Sequence, residues 1–308
     1  MRIARNATEL VGQTPLVRLN TVVGEDATVY AKLEAFNPGF SVKDRIALNM
    51  IRDAEVRGIL KPDSVIVEAT SGNTGIGLAW MAAALGYRLI ITVSARNSKE
   101  RIALLRALGA EVVLTPAETG TPGAIEEANR IASSLPNVVM MRQHWNPANP
   151  EAHRLTTARE IWDDTEGTVD IFVAITGTGG TITGIGQVLK ELKPEVQIVA
   201  IEPEESPVLS EGRVGRHGIQ GTSPGFVPKV MDCSVIDEII RVSTPDALAM
   251  TKRLMREEGL LIGISSGANA VAAAELAARP ENAGKVFVTI FPDLAERYLS
   301  TPLFEEFV

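Results

Sequence analysis

The chain has 308 residues, a formal net charge of −8 and 45% hydrophobic residues, enough apolar material for one large or two medium cores. That acidic balance, with Lys and Arg interspersed among Asp and Glu, excludes a surface built for nucleic acid or anionic membrane, since both need clustered positive charge. One cysteine, Cys233, excludes an intramolecular disulfide framework, and three widely separated histidines (His144, His153, His217) lack zinc-ligand spacing, so no metal site is expected.

Residues 1–6 lack the apolar core of a signal peptide, and the most apolar stretch, residues 76–93, is interrupted by Gly86 and Arg88. The chain therefore reads as a soluble cytoplasmic protein. Residues 64–68 read as a buried strand that enters a Gly-rich turn, and residues 76–85 continue as an Ala- and Leu-rich helix. A strand is expected at 88–93, a helix at 98–108 and a further strand at 111–114. The second half repeats the alternation with a strand at 169–175, a glycine loop, a helix at 182–192 and a strand at 196–201. Residues 285–290 read as a late strand of the same sheet. Short β-branched runs alternating with helical patterns predict an α/β fold with mostly parallel sheets. No linker is long enough to separate independent domains, and ligands of such sheets collect where strands end and helices begin.

Four short segments carry the chemistry. Lys43 stands in the run Asn37-Pro38-Gly39-Phe40-Ser41-Val42-Lys43-Asp44-Arg45, and a single lysine is ordinarily a solvated surface charge. Lys32 and Lys61, in plain charged or turn contexts, are read that way. Thr70-Ser71-Gly72-Asn73-Thr74-Gly75 sits at a strand-to-helix turn. It would serve as a helix cap, but its six small, donor-rich residues exceed what a cap needs and suit a carboxylate. Gly177-Thr178-Gly179-Gly180-Thr181 holds the same position in the second half, where glycine backbone and a helix N-terminus favour an anion. A tight turn or a nucleotide fingerprint would also explain it, although no lysine closes the loop as in a Walker motif. Ser265, in Gly263-Ile264-Ser265-Ser266-Gly267, reads as a simple N-cap or as a ring-facing hydroxyl. His153 reads as structural, Cys233 as a buried or partly buried thiol, and Trp80, Trp145 and Trp162 as packing residues.

In this order and spacing the four segments resemble the cysteine synthase (O-acetylserine sulfhydrylase) and cystathionine β-synthase family of fold-type II pyridoxal phosphate enzymes. The resemblance runs from about residue 8 to Tyr298-Leu299-Ser300-Thr301. It implies two three-layer α/β/α domains like those of the tryptophan synthase β-subunit. A smaller mobile domain would span 39–147 and a larger one 1–38 plus 148–308, with the active site between them. It implies pyridoxal 5'-phosphate held as a Schiff base by Lys43, its phosphate in Gly177, Thr178, Gly179, Gly180 and Thr181, its ring oxygen near Asn73 and its ring nitrogen facing Ser265. A neutral hydroxyl at that nitrogen leaves the ring a moderate electron sink, suited to β-elimination. Counterparts of Thr70, Ser71, Thr74 and Gln143, with Gly72 and His144 beside them, would bind the amino-acid carboxylate.

The implied reaction is β-replacement, forming L-cysteine from O-acetyl-L-serine and sulfide through an α-aminoacrylate, with Lys43 as the base at Cα. A homodimer and an association with serine acetyltransferase are implied as well. The His217–Gly221 and Gly225–Pro228 loops point to the A branch of the cysteine synthases. The chain departs from the family pattern at residues 94–97, at His144 (usually Phe or Tyr), at Thr222-Ser223-Pro224 and at Leu294-Ala295. These places are expected to touch the leaving group and second substrate, where His144 and Arg96 would favour a more polar or anionic group. A different donor or nucleophile therefore stays open, as in cystathionine synthesis, O-phosphoserine sulfhydrylation or amine addition. So does a non-catalytic regulatory paralogue.

Overall fold

The apolar runs and Ala-rich helices become strands and helices in the computed structural model, which describes residues 3–24, 26–70, 72–95 and 99–307. Strands β1 (Leu16–Leu19) and β2 (Thr28–Leu33) come first, then helix α1 (Lys43–Val56), β3 (Val65–Ala69), α2 (Asn73–Leu85), β4 (Arg88–Ser94), α3 (Lys99–Ala107) and β5 (Glu111–Thr115). Next are α4 (Gly120–Ser134), β6 (Val138–Met140), α5 (Ala148–Ala152), a π-helical turn (His153–Thr157), α6 (Ala158–Asp164), β7 (Ile171–Ile175) and α7 (Gly180–Leu192). The chain closes with β8 (Gln197–Pro203), α8 (Val208–Glu211), β9 (Glu238–Val242), α9 (Thr244–Glu257), α10 (Ile264–Ala277) and β10 (Val286–Phe291). Every strand expected from the apolar runs is present within two residues of its expected ends.

Two units emerge, each built on its own sheet. One comprises Met1–Val11, as far as described, and Lys43–Asn149. Its sheet has strand order β5-β4-β3-β6 and is parallel throughout. Val65 and Val67 of β3 and Ile90 of β4 pack on Ala128 and Ile131 of α4. Parallel strands are covered on both faces, so they read as continuous apolar runs, and β3 is buried from Val65 to Glu68.

The other unit comprises Gly12–Val42 and Pro150–Val308, as far as described. Its sheet has order β1-β2-β10-β7-β8-β9, parallel except for the β1–β2 pair. Strand alternation splits its core in two. Ile171 and Val173 pack toward Ala268, Ala272 and Leu276 of α10. Phe172 and Ala174 pack toward Ile182, Ile185 and Leu189 of α7. An α/β fold with helices against mostly parallel sheets is therefore what the chain adopts.

Three expectations about single residues are corrected. Lys32 is fully buried, because its ammonium donates to the Thr14 carbonyl at 2.7 Å and pairs with Glu160 at 3.1 Å and Asp164 at 3.3 Å. Cys233 is exposed, since the short turn it opens lies on the surface. Trp145 is 48% exposed and so contributes little packing, whereas Trp80 is buried. Among the described residues no helix is long and apolar enough to cross a membrane.

Candidate active site

In the first unit the site begins at the ends of β3 and α1. Lys43 is the first residue of α1 and is half-buried. Its neighbour Asp44 is fully buried and accepts a hydrogen bond from the Trp80 indole at 3.1 Å, which fixes the start of the helix. Gly77 of α2 lets the two helices approach there, since an added Cβ would lie 3.2 Å from the Lys43 carbonyl oxygen. Helix α2 starts at Asn73 behind Gly72, and no side chain caps it. The N–H groups of a first helical turn have no intrahelical partner, so this end is left to bind an anion. Thr70 is buried at the end of β3, and its hydroxyl accepts from the Gly72 N–H at 3.3 Å. Ser71 lies outside the described residues.

The Thr74 hydroxyl donates to Gln143 Oε1 at 2.6 Å. Two residues named from separate segments are thereby brought together over a sequence separation of 69. Behind Gln143 stands a residue that sequence reasoning missed. Glu68 of β3 is 4% exposed and accepts from the backbone N–H of Arg142 at 2.8 Å and of Gln143 at 3.3 Å. Burial is the main cause that pushes its pKa up to about 7, against the pull of those N–H groups and of the Arg142 charge. The one local signal is a glutamate inside an apolar strand, and it acquires meaning only once β6 lies alongside β3.

His144 follows Gln143 and meets Trp145 edge-on, ring centroids 5.7 Å apart. Burial first, and the Lys43 charge second, hold its pKa down to about 4. The imidazole is therefore neutral at neutral pH, which removes the charge by which it was expected to draw an anionic group. Arg96 and Asn97 lie outside the described residues.

In the second unit the glycine loop joins β7 to α7. An added Cβ on Gly177 would lie 2.5 Å from the Gly221 carbonyl oxygen, and one on Gly179 would lie 2.6 Å from Met231 Cβ. Gly179 has φ +79°, the left-handed region that favours glycine, and caps α7 without a side-chain bond. The Thr178 hydroxyl accepts from the Gly180 N–H at 3.4 Å. The Thr181 hydroxyl lies 3.2 Å from His153 Nε2, and His153 Nδ1 lies 2.9 Å from the Thr157 hydroxyl. His153 is thus a buried support of the loop, over a separation of 28 residues that no sequence spacing reveals.

Ser265 is buried in the first turn of α10 and is not its cap, which is Gly263. The simple N-cap reading of Ser265 is corrected accordingly. No side chain caps α10 either, so α2, α7 and α10 all start behind an uncapped glycine. Two of the departures, at 222–224 and 294–295, fall close to the starts of α7 and α10. The Ser223 N–H donates to the Thr176 carbonyl at 2.9 Å, which places Thr222-Ser223 against the glycine loop. The Gly263 N–H donates to the Asp293 carbonyl at 3.1 Å, and the Val42 N–H, just ahead of Lys43, donates to the Pro292 carbonyl at 2.9 Å.

The residues of both units suit pyridoxal phosphate. The Gly177–Thr181 loop has no room for side chains at its two tight glycines, offers backbone N–H groups at a helix start and adds two threonine hydroxyls. Among known proteins, the model of the pyridoxal-phosphate dependent enzymes matches residues 7–293. A "Probable cysteine synthase" of Bacillus subtilis (strain 168) is 52% identical over 307 residues, 98% of each chain. The crystal structure of a cysteine synthase from Entamoeba histolytica superposes with a TM-score of 0.96 at 44% identity, covering 99% of this chain and 91% of that one. An O-ureido-L-serine synthase structure does so with a TM-score of 0.96 at 44% identity, covering 100% and 97%. With that match spanning nearly the whole sequence and the loop shaped for a phosphate, the chain belongs to the family of pyridoxal-phosphate dependent enzymes.

Proposed function

We propose that the protein is a cysteine synthase that forms L-cysteine from O-acetyl-L-serine and sulfide by β-replacement. The observation that carries this reading is the Thr74–Gln143 hydrogen bond of 2.6 Å at the uncapped start of α2, a ready seat for an amino-acid carboxylate. The full-length likeness to cysteine synthases supports it.

Lys43, Asn73, the Gly177–Thr181 loop and Ser265 would hold the cofactor. When bound, pyridoxal phosphate supplies an electron sink for the pair left at the substrate Cα. Thr70, Ser71, Gly72, Thr74 and Gln143 bind and orient the donor's carboxylate, which fixes its Cα–H against the Lys43 amine. Lys43 Nζ then takes the Cα proton as general base. Acetate leaves from Cβ with the electron pair of the C–O bond, and sulfide forms the new bond to the same carbon. The neutral His144 adds no charge beside this chemistry. The same reading carries a homodimer in the cytoplasm, with serine acetyltransferase as a partner.

A second reading keeps the donor side and changes the nucleophile. It is favoured by one observation: an O-ureido-L-serine synthase and a cysteine synthase are equally similar to this chain, each at 44% identity. The visible spectrum of the purified protein, followed while O-acetylserine, O-phosphoserine or serine is added, tests the donor. A cofactor band that shifts with O-acetylserine, followed by cysteine formation once sulfide is added, is the expected result. A band shifted only by another donor, or product formed only with another nucleophile, overturns the cysteine synthase assignment.

The phosphate seat has its own test in Gly177→Ala. The new methyl would stand 2.5 Å from the Gly221 carbonyl, a backbone atom that yields only by moving its loop. Overpacking of this kind costs about 1–3 kcal/mol, so cofactor affinity is expected to fall by roughly 10- to 100-fold. Titration of the apoprotein with pyridoxal phosphate measures it, and unchanged affinity would remove Gly177 from the seat.

A further inference from the structure

Gln143 is held at three points. Its side chain accepts from Thr74 at 2.6 Å, its carbonyl accepts from Asn149 Nδ2 at 2.8 Å, and its N–H donates to Glu68 at 3.3 Å. The segment that carries it leaves β6 through Arg142, whose φ of +49° lies in the left-handed region that non-glycine residues seldom adopt. Within the turn the Arg142 carbonyl accepts from the N–H groups of Trp145 at 2.8 Å and Asn146 at 2.9 Å, and from the neighbouring strand the Glu68 carboxylate takes the Arg142 N–H at 2.8 Å and the next N–H as well. Glu68 is placed to do so because it stands one residue beyond the last β3–β6 register pair, Val67↔Met140, where the two strands separate. A carboxylate 4% exposed in a sheet interior is costly and would be better replaced by an apolar residue if it served stability alone.

We infer that Glu68 is a positioning residue for substrate binding: it holds the strained Arg142–Gln143 turn so that the Gln143 amide meets Thr74 and the donor's carboxylate. The inference rests on the proposed role of Gln143 at that carboxylate. Ionised, Glu68 offers an acceptor to each N–H, and glutamine in its place offers one acceptor while turning its NH₂ toward the other N–H.

Glu68→Gln is therefore expected to raise KM for O-acetyl-L-serine about tenfold, while KM for sulfide and retention of pyridoxal phosphate change less than about twofold. Glu68→Asp, which keeps the charge but withdraws it by one methylene, is expected to fall between the two and serves if the glutamine variant does not fold. The decisive measurement is a double-mutant cycle with Gln143→Ala. In that background Glu68→Gln is expected to add less than about twofold to KM, because its target is already gone. Losses that multiply in the double variant, or an unchanged KM in Glu68→Gln, overturn the inference. An unchanged KM in Gln143→Ala alone overturns the carboxylate-site reading beneath it, and is distinguishable because it appears without touching Glu68.

Discussion

Replacing Lys43 with alanine is expected to lower turnover by roughly 10²- to 10⁴-fold, the range for loss of a positioned general base, with the fold unchanged. The helix does not depend on that side chain for its start. Asp44 is buried against the Trp80 indole at 3.1 Å, and Ile46 and Ala47 are buried beneath the first turn. Lysine and alanine are both good helix formers, so the substitution leaves the Gly77 contact with the Lys43 carbonyl in place. The informative measurement pairs initial rates of cysteine formation with thermal unfolding of the same preparation. Lost turnover at an unchanged melting temperature assigns the defect to chemistry. Turnover retained within tenfold would mean that another group takes the Cα proton.

The second large effect is on stability. Lys32→Ala is expected to destabilise the protein by about 3 kcal/mol, from a lost buried ion pair together with the cavity left by the lysine stem. Lys32 lies on β2 between β1, where it faces Leu16, and β10, where it faces Ile290. Its ammonium holds the Thr14 carbonyl, Glu160 and Asp164, while the Thr14 hydroxyl donates to the buried Glu34 at 2.7 Å and Asn37 donates to the same carboxylate at 2.9 Å. The side chains of Glu160 and Asp164 are 16% and 46% exposed, so water screens the carboxylates left behind and the loss stays at the lower end for buried pairs. At roughly 2–4 °C per kcal/mol for a chain of this size, the melting temperature is expected to fall by about 6–12 °C. Lys32→Met, which keeps the stem volume, is expected to lose less. Equal losses in both variants would show that the charge and not the packing carries the effect, and no loss in either would contradict the network as described.

The elements and the local chemistry were legible in short runs of consecutive residues. β3, β4, β7 and β8 were legible because parallel strands covered on both faces must be apolar throughout. The Lys43, Thr70–Gly75 and Gly177–Thr181 segments were legible because a small, donor-rich turn at a helix start is encoded within five or six consecutive residues. Tertiary structure alone decided what depends on distant neighbours. Lys32 looks like any surface lysine until β2 meets residues 132 positions away, Glu68 looks out of place in its strand until Arg142 and Gln143 arrive, and His153 reaches Thr181 only across a helix pair. The physical reason is common to all three. A charge or ring is placed by the groups that satisfy it, and those groups come from chain segments whose proximity is a property of the packed sheet rather than of spacing along the chain.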